Sequence, residues 1–332
     1  MENYFNGENK ELEVSIISED RELDKIGILK IIVKFIIFII TIIIIMKKED
    51  KIEDKKEDKK EDDSINFTST GINEYTYVKK GFGSVLDNLP LYKNTHNTSK
   101  TIFWCWLQGL ENAPKLYLSC LNSIRQNCQG YKIIIITNET MHNYVHFPDY
   151  ILEKYKNNYI SPTHFSDLLR LELLIKYGGT WIDASVLISK FDERFFDKDL
   201  FFFQQRTAGC VGSSWFITAE KASPILITTR DLLYEYWRKR NDLCNYFLFH
   251  LFIRLSFEKY EKMLNNIPYF SNEPPHNLQH VLTKEYSETE YNNILKNISV
   301  HKLTIKCGEP PKNSFFNHII DVYYPKNNTI NY

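Results

Sequence analysis

The sequence predicts an α/β domain built on a β-sheet flanked by helices and preceded by a single transmembrane helix. Three observations carry that prediction. Residues 26–46 form an apolar run, strand-like and helix-like segments alternate from residue 101, and an amphipathic stretch at residues 161–177 runs into Gly-Gly ahead of Trp181-Ile182-Asp183. The chain of 332 residues suits one large or two small domains. With 43% hydrophobic and 14% aromatic residues it can bury a sizeable core. Its net charge of -1 speaks against a nucleic-acid partner, because such partners call for a concentrated basic surface.

Four segments follow in order. Residues 1–25 form an acidic tail. Residues 26–46, IGILKIIVKFIIFIITIIIIM, are about as long as the roughly 20 residues that cross a bilayer as helix. Lys30 and Lys34 lie in the first half, where long side chains snorkel to the headgroups. The long acidic flank is unlike a cleaved signal sequence, so a permanent anchor is expected. Residues 47–100 read as a charged stem: KKEDKIEDKKEDKKEDD has almost nothing to bury, and residues 64–100 mix Gly, Asn, Ser and Thr with few apolar positions. The compact domain is expected at residues 101–332. Lysines on both sides of the anchor and interleaved acids do not choose an orientation. A single-pass protein then faces the Golgi or ER lumen as type II if eukaryotic, or the cytoplasmic face of the inner membrane if bacterial. Sequons at Asn66, Asn97, Asn138, Asn297 and Asn327 are compatible with a lumenal domain. The six cysteines show no CxxC pair and no metal spacing, leaving buried thiols, or disulfides in a lumenal setting.

Within the domain, residues 101–107, TIFWCWL, read as a strand ending at the turn signal Gln108-Gly109. A helix is expected from Pro114 to Gln126, with Leu116, Cys120 and Ile124 on one face. Residues 131–137, YKIIIIT, read as a strand covered on both faces, since their apolar run lacks alternation. Strand, helix, strand implies a right-handed crossover in a parallel sheet. Ligands of such sheets sit beyond the strands' carboxyl ends, where Trp106, Gln108 and Thr137 fall. Ser161-Pro162 then caps a helix with Leu168, Leu171, Leu174 and Ile175 as its apolar stripe, and Gly178 stops it. Asp167 and Arg170, three apart, are neighbours on that helix; as a solvated pair they are worth about 0.2–0.5 kcal/mol. FFFQQ and SSWFITA (residues 201–205 and 213–219) read as strands and residues 224–257 as mainly helical. His276, His280 and His301 have no regular ligand spacing.

The block HFSDLLRLELLIKYGGTWIDASV, with its ordered Ser166-Asp167, Arg170, Gly178-Gly179 and Asp183, resembles glycosyltransferase family 32 and its capsular polysaccharide synthesis branch. More distantly it is similar to the glucosyltransferase domains of large clostridial toxins. The resemblance implies a GT-A-like, Rossmann-type mixed sheet and transfer of a sugar, with retention, from a UDP- or GDP-linked nucleotide sugar to a hydroxyl of a glycan or polysaccharide. It implies catalytic roles for Asp167, Arg170 and Asp183. Trp106 is expected on the nucleotide base, and Gln108, Ser185, Gly178, Gly179 and Lys302 in donor binding. Asp183 would also be the ligand of a Mn²⁺ or Mg²⁺ cofactor. One departure matters: the family's Asp-x-Asp motif reads Asp183-Ala184-Ser185 here. Ser185 replaces the usual direct metal ligand, which weakens the expected metal site and keeps open an alternative, an inactive sugar-nucleotide-binding membrane protein of the same fold. Ser213, Ser214 and Trp215 are further candidates for a pocket wall, and His301 and Lys302 for a segment closing on the diphosphate.

Overall fold

The computed structural model describes residues 72–205 and 211–324. The expected membrane anchor at residues 26–46 lies outside them. Among the described residues no helix is long and apolar enough to cross a membrane.

Among the described residues, seventeen α-helices and β-strands follow one another. The chain runs α1 (Ile72–Asn88), β1 (Thr101–Cys105), α2 (Lys115–Asn127), β2 (Lys132–Ile136), α3 (Asp149–Lys156), α4 (Pro162–Tyr177), β3 (Gly179–Asp183) and β4 (Val186–Ile188). It continues through β5 (Leu200–Phe202), β6 (Phe216–Ala219), α5 (Pro224–Lys239), α6 (Leu248–Lys259), α7 (Glu261–Asn266), α8 (Asn277–Val281), α9 (Glu288–Asn297), β7 (Val300–Lys302) and α10 (Phe315–Tyr323). The central sheet has the order β2-β1-β3-β6-β5. β1 pairs in parallel with β2 and β3, while β6 is antiparallel to both β3 and β5. β4 and β7 form a separate antiparallel ribbon. This is a mixed sheet flanked by helices, in keeping with the α/β expectation.

Alternation along the inner strands explains the layers. Phe103, Trp181, Ile217 and Phe202 point into a core shared with α1, α4, α5 and α6. Their neighbours Ile102, Trp104, Ile182, Phe216 and Phe201 point to the other face, against Leu121 and Ile124 of α2 and a cluster of phenylalanines. Each large side chain so buried stabilises the fold by roughly 1.5–3 kcal/mol.

Two sequence expectations change. β2 is an edge strand with unequally covered faces: Lys132 is exposed, Ile133 and Ile135 are half-buried against the second core, and Ile134 and Ile136 face the main core. An edge lysine is a usual guard against strand addition. Residues 72–88, placed by composition in the stem, form α1 instead. Tyr75, Val78, Phe82 and Leu86 are buried at three-to-four spacing, and Gly81, Gly83 and intervening polar residues dilute that stripe in the sequence. The packed fold thus starts well before Thr101. The stretch after Pro224 is mainly helical, as expected, and divides into α5 and α6 with a break at residues 240–247.

Candidate active site

A cleft of about 640 Å³ opens outside the carboxyl ends of β1 and β3. That is where an open α/β sheet places its ligand, between strands whose connections leave in opposite directions. The pairing of Cys105 with Asp183 aligns the two strand ends. Trp106 and Gln108 continue from β1 into the cleft, and Ala184 and Ser185 continue from β3.

Helix α4 supplies the third wall. The Ser161 hydroxyl caps its first turn, accepting from the His164 amide, and Pro162 occupies the first helical position. Far from being a solvated pair, Asp167 and Arg170 are 8% and 3% exposed, which raises the stakes of their ion pair. Arg170 donates from Nη1 to Asp167 Oδ1 and from Nη2 to Ser166 Oγ at 3.2 Å and to Asp183 Oδ1 at 3.3 Å. Its guanidinium carbon also lies 5.1 Å from the Trp181 ring centre and 5.6 Å from that of Phe249. Asp183 Oδ1 accepts a further bond, 2.8 Å long, from the Trp181 indole N–H, two residues earlier on the same face of β3.

The other side of Asp183 faces Lys302. Its ammonium donates to Asp183 Oδ2 at 3.0 Å and to Ser185 Oγ at 2.5 Å. The resulting chain, Asp167, Arg170, Asp183, Lys302, balances two acids with two bases. These surroundings separate the two carboxyls. Burial pushes Asp167 up to about 6 against the pull of Arg170. Burial alone would also raise Asp183, but Lys302, Arg170 and the Trp181 hydrogen bond outweigh it and hold the carboxyl below its ordinary range. Asp183 is therefore anionic at neutral pH.

Several buried polar atoms on this cleft have no protein partner: Trp106 Nε1, Arg170 Nε and His250 Nδ1. Buried polar groups are almost always satisfied, so these are fitted to meet water or a ligand. Trp106 packs edge-on against Tyr117 at 5.4 Å between ring centres.

Most expected site residues converge here: Asp167, Arg170, Asp183, Trp106, Gln108, Ser185 and Lys302 all line the cleft, as do Ser213, Ser214 and Trp215. Gly178 and Gly179 do not. They sit at the start of β3, away from the cleft at its end, and their role is backbone geometry. Gly179 has φ 101°, and a Cβ there would lie 2.4 Å from the Thr101 carbonyl oxygen. Thr137 also stays outside, its hydroxyl turned to Thr140.

The model of the family described as "Capsular polysaccharide synthesis protein" matches residues 47–319. The chain belongs to that family. Among solved structures, the PaToxG Glycosyltransferase is similar at 16% identity and a TM-score of 0.36, covering 67% of this chain and 95% of that one. No curated protein matches the chain.

In this capsular polysaccharide synthesis family member, His250, Asn272, Tyr246 and Phe247, which nothing in the sequence singles out, also line the cleft, as does His276, which has no regular ligand spacing. Asn272 Oδ1 accepts from Ser213 Oγ at 2.5 Å and from Trp215 Nε1 at 3.2 Å, and its carbonyl lies 2.7 Å from His276 Nδ1. Burial, aided by Arg170, pushes the His250 imidazole down to about 4. His250 reads in sequence as a lone histidine in an apolar helix, and Asn272 and His276 as part of a polar loop, so spacing held no signal for them.

The fit of a divalent ion at Asp183 can be judged from its neighbours. Mn²⁺ and Mg²⁺ seek several oxygen ligands. Here the motif offers one carboxylate and one hydroxyl, and the position that joins them is taken by an ammonium. The residues present do not fit the ion. A separate trio, His96, Asp199 and Glu220, brings ligand atoms within 4.8 Å of one another, but it lies at the opposite end of the sheet, near Ala219 and Leu200. Its groups mainly serve each other: Glu220 accepts from the amides of Thr95 and His96, and Asp199 pairs with the His96 ring at 2.6 Å.

The five described cysteines, Cys105, Cys120, Cys128, Cys244 and Cys307, are free. Burial pushes the Cys105 and Cys128 thiols up to about 12, so both are inert thiols.

Proposed function

We propose that this chain is a sugar-nucleotide-dependent glycosyltransferase that moves a hexose-like sugar from a UDP- or GDP-linked donor to a hydroxyl of a glycan acceptor. In this reading residues 26–46 tether it to a membrane, in the orientation its cell type sets. The observation that carries the reading is the convergence of Asp167, Arg170 and Asp183 at the carboxyl ends of β1 and β3, with Trp106 on the adjoining wall. Membership of the capsular polysaccharide synthesis family supports it. Tyr246 and Phe247, 64% and 48% exposed at the rim, offer the apolar ring faces on which a sugar acceptor packs.

Glycosyl transfer builds positive charge on the sugar ring while negative charge grows on the departing diphosphate. Preorganised charges aimed at those changes are usually the largest catalytic contribution. Arg170, fixed by two acids and two aromatic rings, holds a cation where the leaving group develops its charge. Asp167 accepts from donor-sugar hydroxyls when ionised, and Asp183, anionic at neutral pH, orients the Arg170 and Lys302 cations. The C1–O bond to the diphosphate breaks with its electron pair going to the phosphate oxygen, and the acceptor oxygen bonds C1. Both cleft carboxylates are tied to Arg170, which supports the front-face route, with retention, in which the departing phosphate oxygen takes the acceptor's proton.

An inverting route has one observation in its favour. His276 Nδ1 donates to the Asn272 carbonyl in the tautomer that leaves Nε2 free to accept a proton. The anomeric configuration of the product, read by NMR, separates the two routes. The test of the transferase reading is a screen of UDP- and GDP-sugars for release of free nucleotide. Wild type is expected to release nucleotide from at least one donor and Asp183→Ala from none. Binding without release would instead identify a sugar-nucleotide-binding protein, and equal release by Asp183→Ala would remove the cleft from the mechanism.

A further inference from the structure

We propose that the Lys302 ammonium stands in for the divalent cation of an Asp-x-Asp site, as a built-in counter-charge for the leaving diphosphate, so that this chain handles nucleoside diphosphates without a metal ion. The inference rests on the sugar-nucleotide reading of the cleft.

Lys302 is held in place by the ribbon. β7 pairs with β4 so that Lys302 stands opposite Val186 and His301 opposite Leu187, and the Leu303 amide donates to the Ser185 carbonyl at 2.8 Å. Neighbours on a strand face opposite ways. His301 accordingly turns inward, fully buried, with Nε2 3.0 Å from Ser189 Oγ. Lys302 turns into the cleft with its side chain 20% exposed, unlike a mobile surface lysine.

The ammonium bridges the two motif positions, Asp183 Oδ2 and Ser185 Oγ. The other Asp183 oxygen is already taken by Trp181 and Arg170. A divalent ion added here would meet two fixed cations and only one carboxylate. Ser185 then has a positive reason. A second aspartate would neutralise Lys302 completely, whereas a hydroxyl accepts its hydrogen bond and leaves part of its charge for a phosphate. Lys306 lies on the same wall.

In the transfer step Lys302 acts only as a hydrogen-bond donor and exchanges no proton. As the C1–O bond breaks, the electron pair remains on the terminal phosphate oxygen, which accepts a hydrogen bond from the ammonium. The acceptor oxygen bonds C1, and its proton passes to the diphosphate.

The test uses the full chain stripped of metal, with UDP, GDP, UMP and GMP as probes in calorimetry, and Mn²⁺ titrated alone by electron paramagnetic resonance. Wild type should bind UDP or GDP in EDTA as well as in Mn²⁺, and take up no Mn²⁺ at the cleft. Lys302→Met should weaken diphosphate binding about tenfold or more, the loss of one hydrogen bond between charged groups, while hardly changing monophosphate binding. The double variant Ser185→Asp/Lys302→Met should bind Mn²⁺ and make diphosphate binding depend on it, which also shows that the altered cleft is folded. Diphosphate binding by wild type only with Mn²⁺, or Mn²⁺ uptake by the wild-type cleft, overturns the inference and leaves the transferase reading standing. No diphosphate binding under either condition overturns both.

Discussion

Arg170 is the side chain on which the cleft's charge balance turns. It sits between two carboxylates with its side chain only 4% exposed. Arg170→Ala would leave Asp167 and Asp183 facing each other with only Lys302 as counter-charge, and is expected to cost about 3–5 kcal/mol in denaturant unfolding. Arg170→Lys keeps the charge but loses the fork. It should preserve most of that stability while lowering nucleotide release about 100-fold, the scale of one misplaced stabilising donor. Unchanged turnover in the lysine variant would reduce Arg170 to a structural ion pair. His301 makes a second residue-scale prediction. Burial lowers its pKa to about 3, so between about 6.5 and 3 the unfolded chain binds a proton that the fold refuses. Its stability contribution is present above pH 6.5 and is lost as pH falls through that window. In His301→Asn, melting temperatures across pH 4–7 should fall less steeply than in wild type; identical slopes would contradict this. From sequence, the pairing of Asp167 with Arg170 was legible as spacing, but not its burial, because that depends on α6 and β3 closing over it.

At the scale of elements, local chemistry was the readable part. Ser161-Pro162 and Gly178 mark the ends of α4 by capping and positive-φ rules, and alternation around β1 and β3 marks their two buried faces. What was hidden is long-range. Nothing in VHKLTIK says that it pairs with β4, over a hundred residues earlier, or that Lys302 thereby faces Ser185. Edge position was equally invisible for β2, since an isoleucine run looks the same at the rim as in the middle. The turn into β3 gives a direct test. With φ 101° and the Thr101 carbonyl oxygen 2.4 Å from a would-be Cβ, Gly179→Ala should destabilise by roughly 1–3 kcal/mol or more, measured by urea unfolding. Since Gly179 lies away from the cleft, the folded fraction should still bind nucleotide with wild-type affinity. A loss of affinity without a loss of stability would return this glycine to the donor site.

Across the whole molecule, the cleft exists because three segments far apart in sequence meet at one end of the sheet: the β1 exit, the α4–β3 hairpin and the strand bearing Lys302. The family block made the first two legible, and composition misplaced the start of the fold. Four side chains of α1, Tyr75, Val78, Phe82 and Leu86, are buried in the main core. At roughly 1.5–3 kcal/mol each, their loss rivals the whole stability of a typical domain, about 5–15 kcal/mol. A chain beginning at Thr101 should therefore fail to melt cooperatively, while one beginning at Ile72 should do so; equal melting curves would make α1 an ornament. The account's central claim is that a nucleotide sugar's diphosphate sits between Arg170 and Lys302. A crystal structure of the metal-stripped protein soaked with the UDP or GDP that it binds tests this most directly. The account predicts phosphate oxygens within hydrogen-bond distance of Lys302 Nζ and the base against Trp106. A nucleotide bound elsewhere, or one held through a metal ion on Asp183 with Lys302 turned away, would contradict it.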